Sequence, residues 1–222
     1  MILVSLTPHD RKGWRNALLR VLAVLFVLTA APLLFFVYCT TMPGDSYRGP
    51  VPALDAEGKA AQRRLEAHVV KLSRDIGRRS IQTMPKLSAA RDYISAQLKQ
   101  HGYEPRRQDF VVDGATVSNV YAVKAGASRA SEVVVVGAHY DTVGTTHGAD
   151  DNASGVAAML VIARALAGEK LPRTIHFVAF VNEEPPYFRT EQMGSFEYAA
   201  MLKAKKTDVV AMYSLECMGY FK

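Results

Sequence analysis

The sequence has 222 residues, with 27 Lys and Arg against 21 Asp and Glu, a formal net charge of +6. Hydrophobic residues make up 49 % and charged residues 22 %, which excludes a disordered, collagenous or heptad-repeat chain and leaves a globular domain plus an appendage. Two cysteines, Cys39 and Cys217, exclude a disulfide-dense scaffold and a Cys-rich zinc module. The basic excess does not point to nucleic acid. No RNP-like, zinc-finger or helix-turn-helix pattern occurs, and basic residues beyond the first twenty alternate with acids, as in Arg63-Arg64-Leu65-Glu66.

The N-terminal part reads as a membrane anchor. Residues 1–20 carry Arg11, Lys12, Arg15 and Arg20 against Asp10, and the 19 residues VLAVLFVLTAAPLLFFVYC from Val21 to Cys39 carry no charge. A helix of about 20 apolar residues spans a hydrocarbon core of about 30 Å. Basic residues ahead of it place the N-terminus in the cytoplasm and the rest of the chain on the other side. A cleaved signal peptide has a shorter apolar run and a small-residue exit. The exit here is Phe-Val-Tyr-Cys-Thr-Thr-Met. The expected organisation is a cytoplasmic tail (1–20), a single-pass anchor in the lipid bilayer (21–39), a linker rich in Pro and Gly (40–54), and an extracytoplasmic domain from 55 to 222.

That domain opens with two amphipathic helices. The first is expected over Asp55–Ile76, with Leu65, Val69, Leu72 and Ile76 at helical spacing; the second runs from near Pro85 to Gly102, burying Ala90, Ile94 and Leu98. Gln108–Val112 and Val117–Lys124 flank Asp113-Gly114 and predict a hairpin. Continuous apolar runs predict buried strands at Glu132–His139, Thr174–Val181 and Val209–Glu216, separated by helices at about Ala153–Leu166 and Ser195–Lys205. Alternating strands and helices imply an α/β fold, a three-layer sandwich with a mixed, largely parallel central sheet.

Metal-compatible side chains fall at the ends of the buried strands. The first strand ends in His139-Tyr140-Asp141, and the loop after it holds Asp150-Asp151-Asn152. The second ends in Asn182-Glu183-Glu184 and the third in Glu216. Ligands of open α/β sheets bind at the carboxyl ends of the strands. Six carboxylates drawn to one rim repel unless some stay protonated or cations offset them. In sequence, only Arg189 lies near these acids, which favours metal over salt bridging. Imidazole with carboxylates suits zinc, and also manganese or cobalt. Asp141 is placed to hold the His139 tautomer. The Asp150-Asp151-Asn152 run also reads as a turn that caps the next helix.

The stretches VVVVGAHYDTV, GADDNASGVAAMLVIARAL and RTIHFVAFVNEEPPYFRTEQMGS resemble the M28 family of zinc metallopeptidases, the di-zinc aminopeptidase group. The resemblance implies a hydrolase that releases N-terminal residues of peptide substrates by attack of a metal-bound hydroxide. It implies two zinc ions, with His139 and Glu216 on one, Glu184 on the other, and Asp150 bridging both beside a cis Asp150–Asp151 peptide. Glu183 is implied as the general base, with Asp141 behind His139. The commoner family residue at the place of Glu216 is Asp. A last histidine ligand comes in the family from a loop well beyond that place, so the chain is expected to be C-terminally truncated, unstable and largely inactive alone. Two other functions share the resemblance: a single-zinc glutaminyl cyclase and a metal-free binding domain.

Overall fold

The computed structural model describes residues 10–41, 49–50 and 52–219 and divides into two units, residues 1–52 and 53–222. In the first unit, α1 runs from Arg11 to Thr40. It starts ten residues before the predicted apolar segment, because Asp10 caps it by accepting the Gly13 N–H at 2.6 Å and the intervening Arg, Lys, Ala and Leu favour helix. Pro32 lies within it. The hydroxyls of Thr29 and Thr40 donate to the carbonyls of Leu25 (2.9 Å) and Phe36 (2.8 Å), so neither is left unpaired on an apolar helix. Among the described residues, α1 is the one helix long and apolar enough to cross a membrane. Positions 1–9 of the predicted tail and 42–48 and 51 of the predicted linker lie outside the described residues.

The second unit begins with α2, Ala56–Val70, capped by Asp55 on the Gly58 N–H at 2.7 Å. The helix widens into a π-helical stretch, Lys71–Ile76, and stops at Gly77, whose φ of 82° suits glycine. After a short 3₁₀ turn, α3 spans Met84–Gln100 and buries Leu87, Ala90, Ile94 and Leu98. It closes with paired bonds from Gly102 N to Lys99 O (3.0 Å) and Tyr103 N to Leu98 O (3.1 Å), the Schellman arrangement that the glycine predicts.

Strands β1 (Arg106–Val112) and β2 (Ala115–Lys124) form the predicted hairpin, with Asp113 and Gly114 both at positive φ. Then come β3 (Arg129–His139), α4 (Gly155–Leu166), β4 (Arg173–Phe180), α5 (Gly194–Ala204) and β5 (Asp208–Ser214). The sheet order is β1-β2-β4-β3-β5. β4, β3 and β5 are mutually parallel, while β2 runs antiparallel to both β1 and β4.

Two apolar layers cover the sheet. On one face Leu72 of the π-helical stretch, Ile94 and Leu98 of α3, and Met159 and Leu160 of α4 pack with Val120 and Phe177. On the other, Tyr198 and Leu202 of α5 pack with Tyr121, Val133, Val135, Val178 and Phe180. The chain therefore leaves β3 toward one face and β4 toward the other, which opens a crevice at the carboxyl ends of these two strands. Burying these side chains is the main source of the domain's stability. The fit is close: a Cβ on Gly137 of β3 would collide with the Phe180 ring.

Candidate metal centre

The crevice holds the strand-end residues. His139 ends β3 with only 3 % of its surface exposed. Its Nε2 faces Asp151 Oδ1 at 3.0 Å, Glu216 Oε1 at 3.1 Å and Glu183 Oε2 at 3.8 Å. Ligand atoms of His139, Asp151 and Glu216 all lie within 4.8 Å of one another. The other ring nitrogen, Nδ1, contacts Asp141 Oδ1 at 3.4 Å.

Asp141 is buried and ties the two strand ends together. Its Oδ1 accepts the backbone N–H of Glu183 at 3.2 Å and its Oδ2 that of Glu184 at 3.1 Å. One carboxylate thus orients the His139 ring and sets the path on which Glu183 and Glu184 leave β4. The Glu184 side chain reaches inward, and its buried Oε1 has no hydrogen-bond partner in the protein.

Adjacent residues at 150–152 divide their work. The Asp151 carboxylate enters the cluster. Asp150 Oδ1 turns away and accepts the Gly219 N–H at 2.8 Å and the Ser154 hydroxyl at 3.2 Å. The structure therefore does not bring Asp150, the expected bridging residue, to His139; its neighbour takes that place. The cis peptide likewise lies one residue later than expected, between Asp151 and Asn152. Asn152 is buried. It donates to Leu215 O at 2.8 Å and Glu216 Oε2 at 3.3 Å, and its Oδ1 accepts the Gly155 N–H at 3.0 Å, capping α4. This is the capping role read from the sequence, with a hold on Glu216 added.

The electrostatics follow from crowding. Burial alone would depress the His139 imidazolium, but the facing carboxylates of Asp141, Asp151 and Glu216 outweigh it and push its pKa up to about 12. The bond from His139 holds Asp151 low. Burial raises Glu183, and Glu216, Asp141 and Glu184 raise it further against the pull of His139. Burial and the nearby Asp151 charge raise Glu184. The donor set and the unpaired Glu184 oxygen fit a zinc ion.

One basic residue was invisible in the local sequence. Arg79, in the turn after α2, is fully buried and senses the charges of Asp141 and Asp151. Arg189, the basic residue nearest these acids in sequence, lies over the Phe188 ring, 5.1 Å from its centroid, while Arg79, distant in sequence, senses the charges of Asp141 and Asp151.

Residues 119–222 match the model of peptidase family M28, and this segment, which carries every member of the cluster, belongs to that family. The Escherichia coli protein YfbL is 34 % identical over 171 residues, covering 73 % of this chain and 51 % of YfbL. A probable zinc metalloprotease of Pyrenophora tritici-repentis is 29 % identical over 202 residues, 80 % of this chain and 40 % of its own. The chain thus spans about half the length, or less, of these curated relatives. Among solved structures, the Bacillus subtilis zinc aminopeptidase BSAP shares the fold at a TM-score of 0.63 and 16 % identity, over 72 % of this chain and 69 % of that one. A glutaminyl cyclase of Porphyromonas gingivalis matches at 0.57 and 26 %, over 72 % and 59 %.

Proposed function

We propose that this chain carries the metal-binding part of a membrane-anchored, zinc-dependent aminopeptidase. The observation that carries this reading is the convergence of His139, Asp151 and Glu216 on one point, with Glu183 beside them. His139, Asp151, Glu216 and Glu184 would hold the metal. Two ions are proposed, which Asp151 and Glu184 would help to hold, because Glu184 brings a further unpaired oxygen close enough to feel the Asp151 charge. When bound, zinc supplies a Lewis acid that polarises the scissile carbonyl and acidifies water.

The remaining steps belong to the protein. Asp141 fixes the His139 ring and, through the two backbone N–H groups it accepts, the direction of Glu183. Glu183, with its pKa raised by burial and by neighbouring carboxylates, is suited to take a proton from the attacking water. Oxygen bonds to the peptide carbonyl carbon, the carbon–nitrogen bond breaks, and Glu183 returns the proton to the departing amine. Peptides are the proposed substrates.

The anchor is proposed to be α1, with the N-terminus in the cytoplasm, because Arg11, Lys12, Arg15 and Arg20 precede its apolar part. A cleaved signal sequence is the competing reading, and the N-terminal sequence of the mature protein decides between them.

The test is zinc uptake by the full chain in detergent. The expected result is stoichiometric zinc that His139→Ala loses and Glu183→Gln keeps. No zinc uptake by the wild type defeats the reading. The 26 % identity to a glutaminyl cyclase favours a second reading, with one ion per chain and cyclisation of N-terminal glutamine in place of residue release.

A further inference from the structure

Arg79 makes more hydrogen bonds than any other side chain around the site, and all its guanidinium acceptors are backbone carbonyls. Nε donates to Tyr140 O at 2.7 Å. Nη1 donates to Leu72 O at 2.8 Å, Gly77 O at 2.9 Å and His147 O at 2.9 Å, and Nη2 to Gly148 O at 3.1 Å. Its own backbone pairs with Thr142, as donor to Oγ1 at 3.0 Å and as acceptor from N at 2.8 Å. Among the described residues, no carboxylate forms an ion pair with it. Its surface exposure is 0 %.

A buried charge without a touching counter-ion is costly, and truncating such a group is normally severe. What this residue supplies in return is geometry. The planar fork of an arginine holds several acceptors at fixed angles, which an ammonium does not. Two of its partners, Leu72 and Gly77, belong to the π-helical stretch and to the turn that ends it. The other three, Tyr140, His147 and Gly148, are the two roots of the loop between β3 and the cluster. Tyr140 sits between His139 and Asp141. Gly148 has φ +57° and packs so tightly that a Cβ there would collide with the Asp151 carbonyl oxygen. The tips of that loop, Gly144 to His147, are exposed.

We infer that Arg79 is a positioning residue for the metal centre: by pinning both roots of the 140–148 loop to the turn after α2, it sets the gap between His139 and Asp151 into which the cation fits. The inference rests on the zinc reading above. It gives Arg79 no contact with substrate or metal. Its action passes through Gly148 to Asp151 on one side and through Tyr140 to His139 on the other.

The test compares zinc affinity, thermal stability and amide exchange of residues 143–151 in the full chain, solubilised in detergent. Zinc affinity is read by competition with a chromophoric chelator. Arg79→Lys keeps the charge and removes the fork. Its expected signature is a folded protein whose zinc affinity falls by about 10- to 100-fold, the range seen when groups that orient ligands are lost. Exchange in the 143–151 loop should rise with it. Gly148→Ala, with Arg79 intact, should give the same signature, since it disturbs the same junction from the other side. Arg79→Lys that melts earlier but binds zinc as tightly as the wild type overturns the inference. If Arg79→Lys does not fold, Gly148→Ala and Thr142→Val decide, and wild-type zinc affinity in both overturns it. A wild-type chain that takes up no zinc instead defeats the metal reading itself, and this inference with it.

Discussion

Asp150 and Asp151 share a peptide group, yet their carboxylates serve different segments. Asp151 Oδ1 stands 3.0 Å from His139 Nε2, while Asp150 Oδ1 takes the Gly219 N–H at 2.8 Å and so holds the segment that follows Glu216. One residue belongs to the cluster; the other steadies a neighbour of it.

This division predicts unequal variants. Asp151→Asn should reduce zinc affinity by at least about 100-fold, because a metal-facing charge is lost. Asp150→Asn should cost about 10-fold or less, since an amide oxygen still accepts the Gly219 N–H. Chelator competition on the two purified variants checks this. Equal losses would contradict the assignment.

Asp141 predicts a coupling between the two strand ends. In Asp141→Asn one of the two oxygens becomes an NH2 group that faces a backbone N–H or the His139 ring. The expected cost is about 1–3 kcal/mol of stability. A loss of about 10- to 100-fold in zinc affinity should accompany it. Urea unfolding of the zinc-free chain and zinc titration measure the two separately.

The acidity of the cluster predicts a proton released on metal uptake. The carboxylates facing His139 push its pKa up to about 12. A zinc ion on Nε2 must displace the imidazolium proton. At neutral pH, zinc uptake should release one proton at this site, and affinity should fall about tenfold for each pH unit of acidification. Calorimetry in two buffers of different ionisation enthalpy reads the proton count, and His139→Ala should abolish it.

His68 sets a separate pH limit. It is buried between α2 and α3, and its Nδ1 lies 2.6 Å from the Tyr93 hydroxyl. Burial, with a smaller contribution from the charge of His101, lowers its pKa from 6.5 to about 4. A depressed histidine favours the folded state while it is neutral. Its contribution is complete above pH 6.5 and is lost as pH falls toward 4, by up to about 3 kcal/mol. Melting curves between pH 4 and 7 should show this decline, and His68→Gln should flatten it.

What could be read from the sequence was whatever local chemistry decides. Asp113-Gly114 marks a turn, Gly102 ends α3, and TIHFVAFV is a buried strand whatever surrounds it. His139, Glu183 and Glu216 stood out because strand ends of a parallel sheet share one rim. Choosing between Asp150 and Asp151 was a different problem. Both are acidic and adjacent, and which one turns inward depends on the left-handed Gly148 and on the hold of Arg79, which lies 69 positions upstream of that glycine. Arg79 itself gave no signal, because its partners are carbonyl groups, which every residue has. Asn152 was legible as a helix cap but not as the donor to Glu216, since that contact spans 64 positions.

The outermost strand carries a last consequence. β5 pairs with β3 on one flank only among the described residues, and Val210, Met212 and Tyr213 along it are exposed. Glu216 lies two residues past its end, so one donor of the cluster follows directly on an edge strand of the sheet. Such margins open by sub-global fluctuation well before a domain unfolds. Coordination would therefore do more than complete a reactive centre: by fastening Glu216 to His139, it would staple the sheet's border to its middle and slow amide exchange along β5.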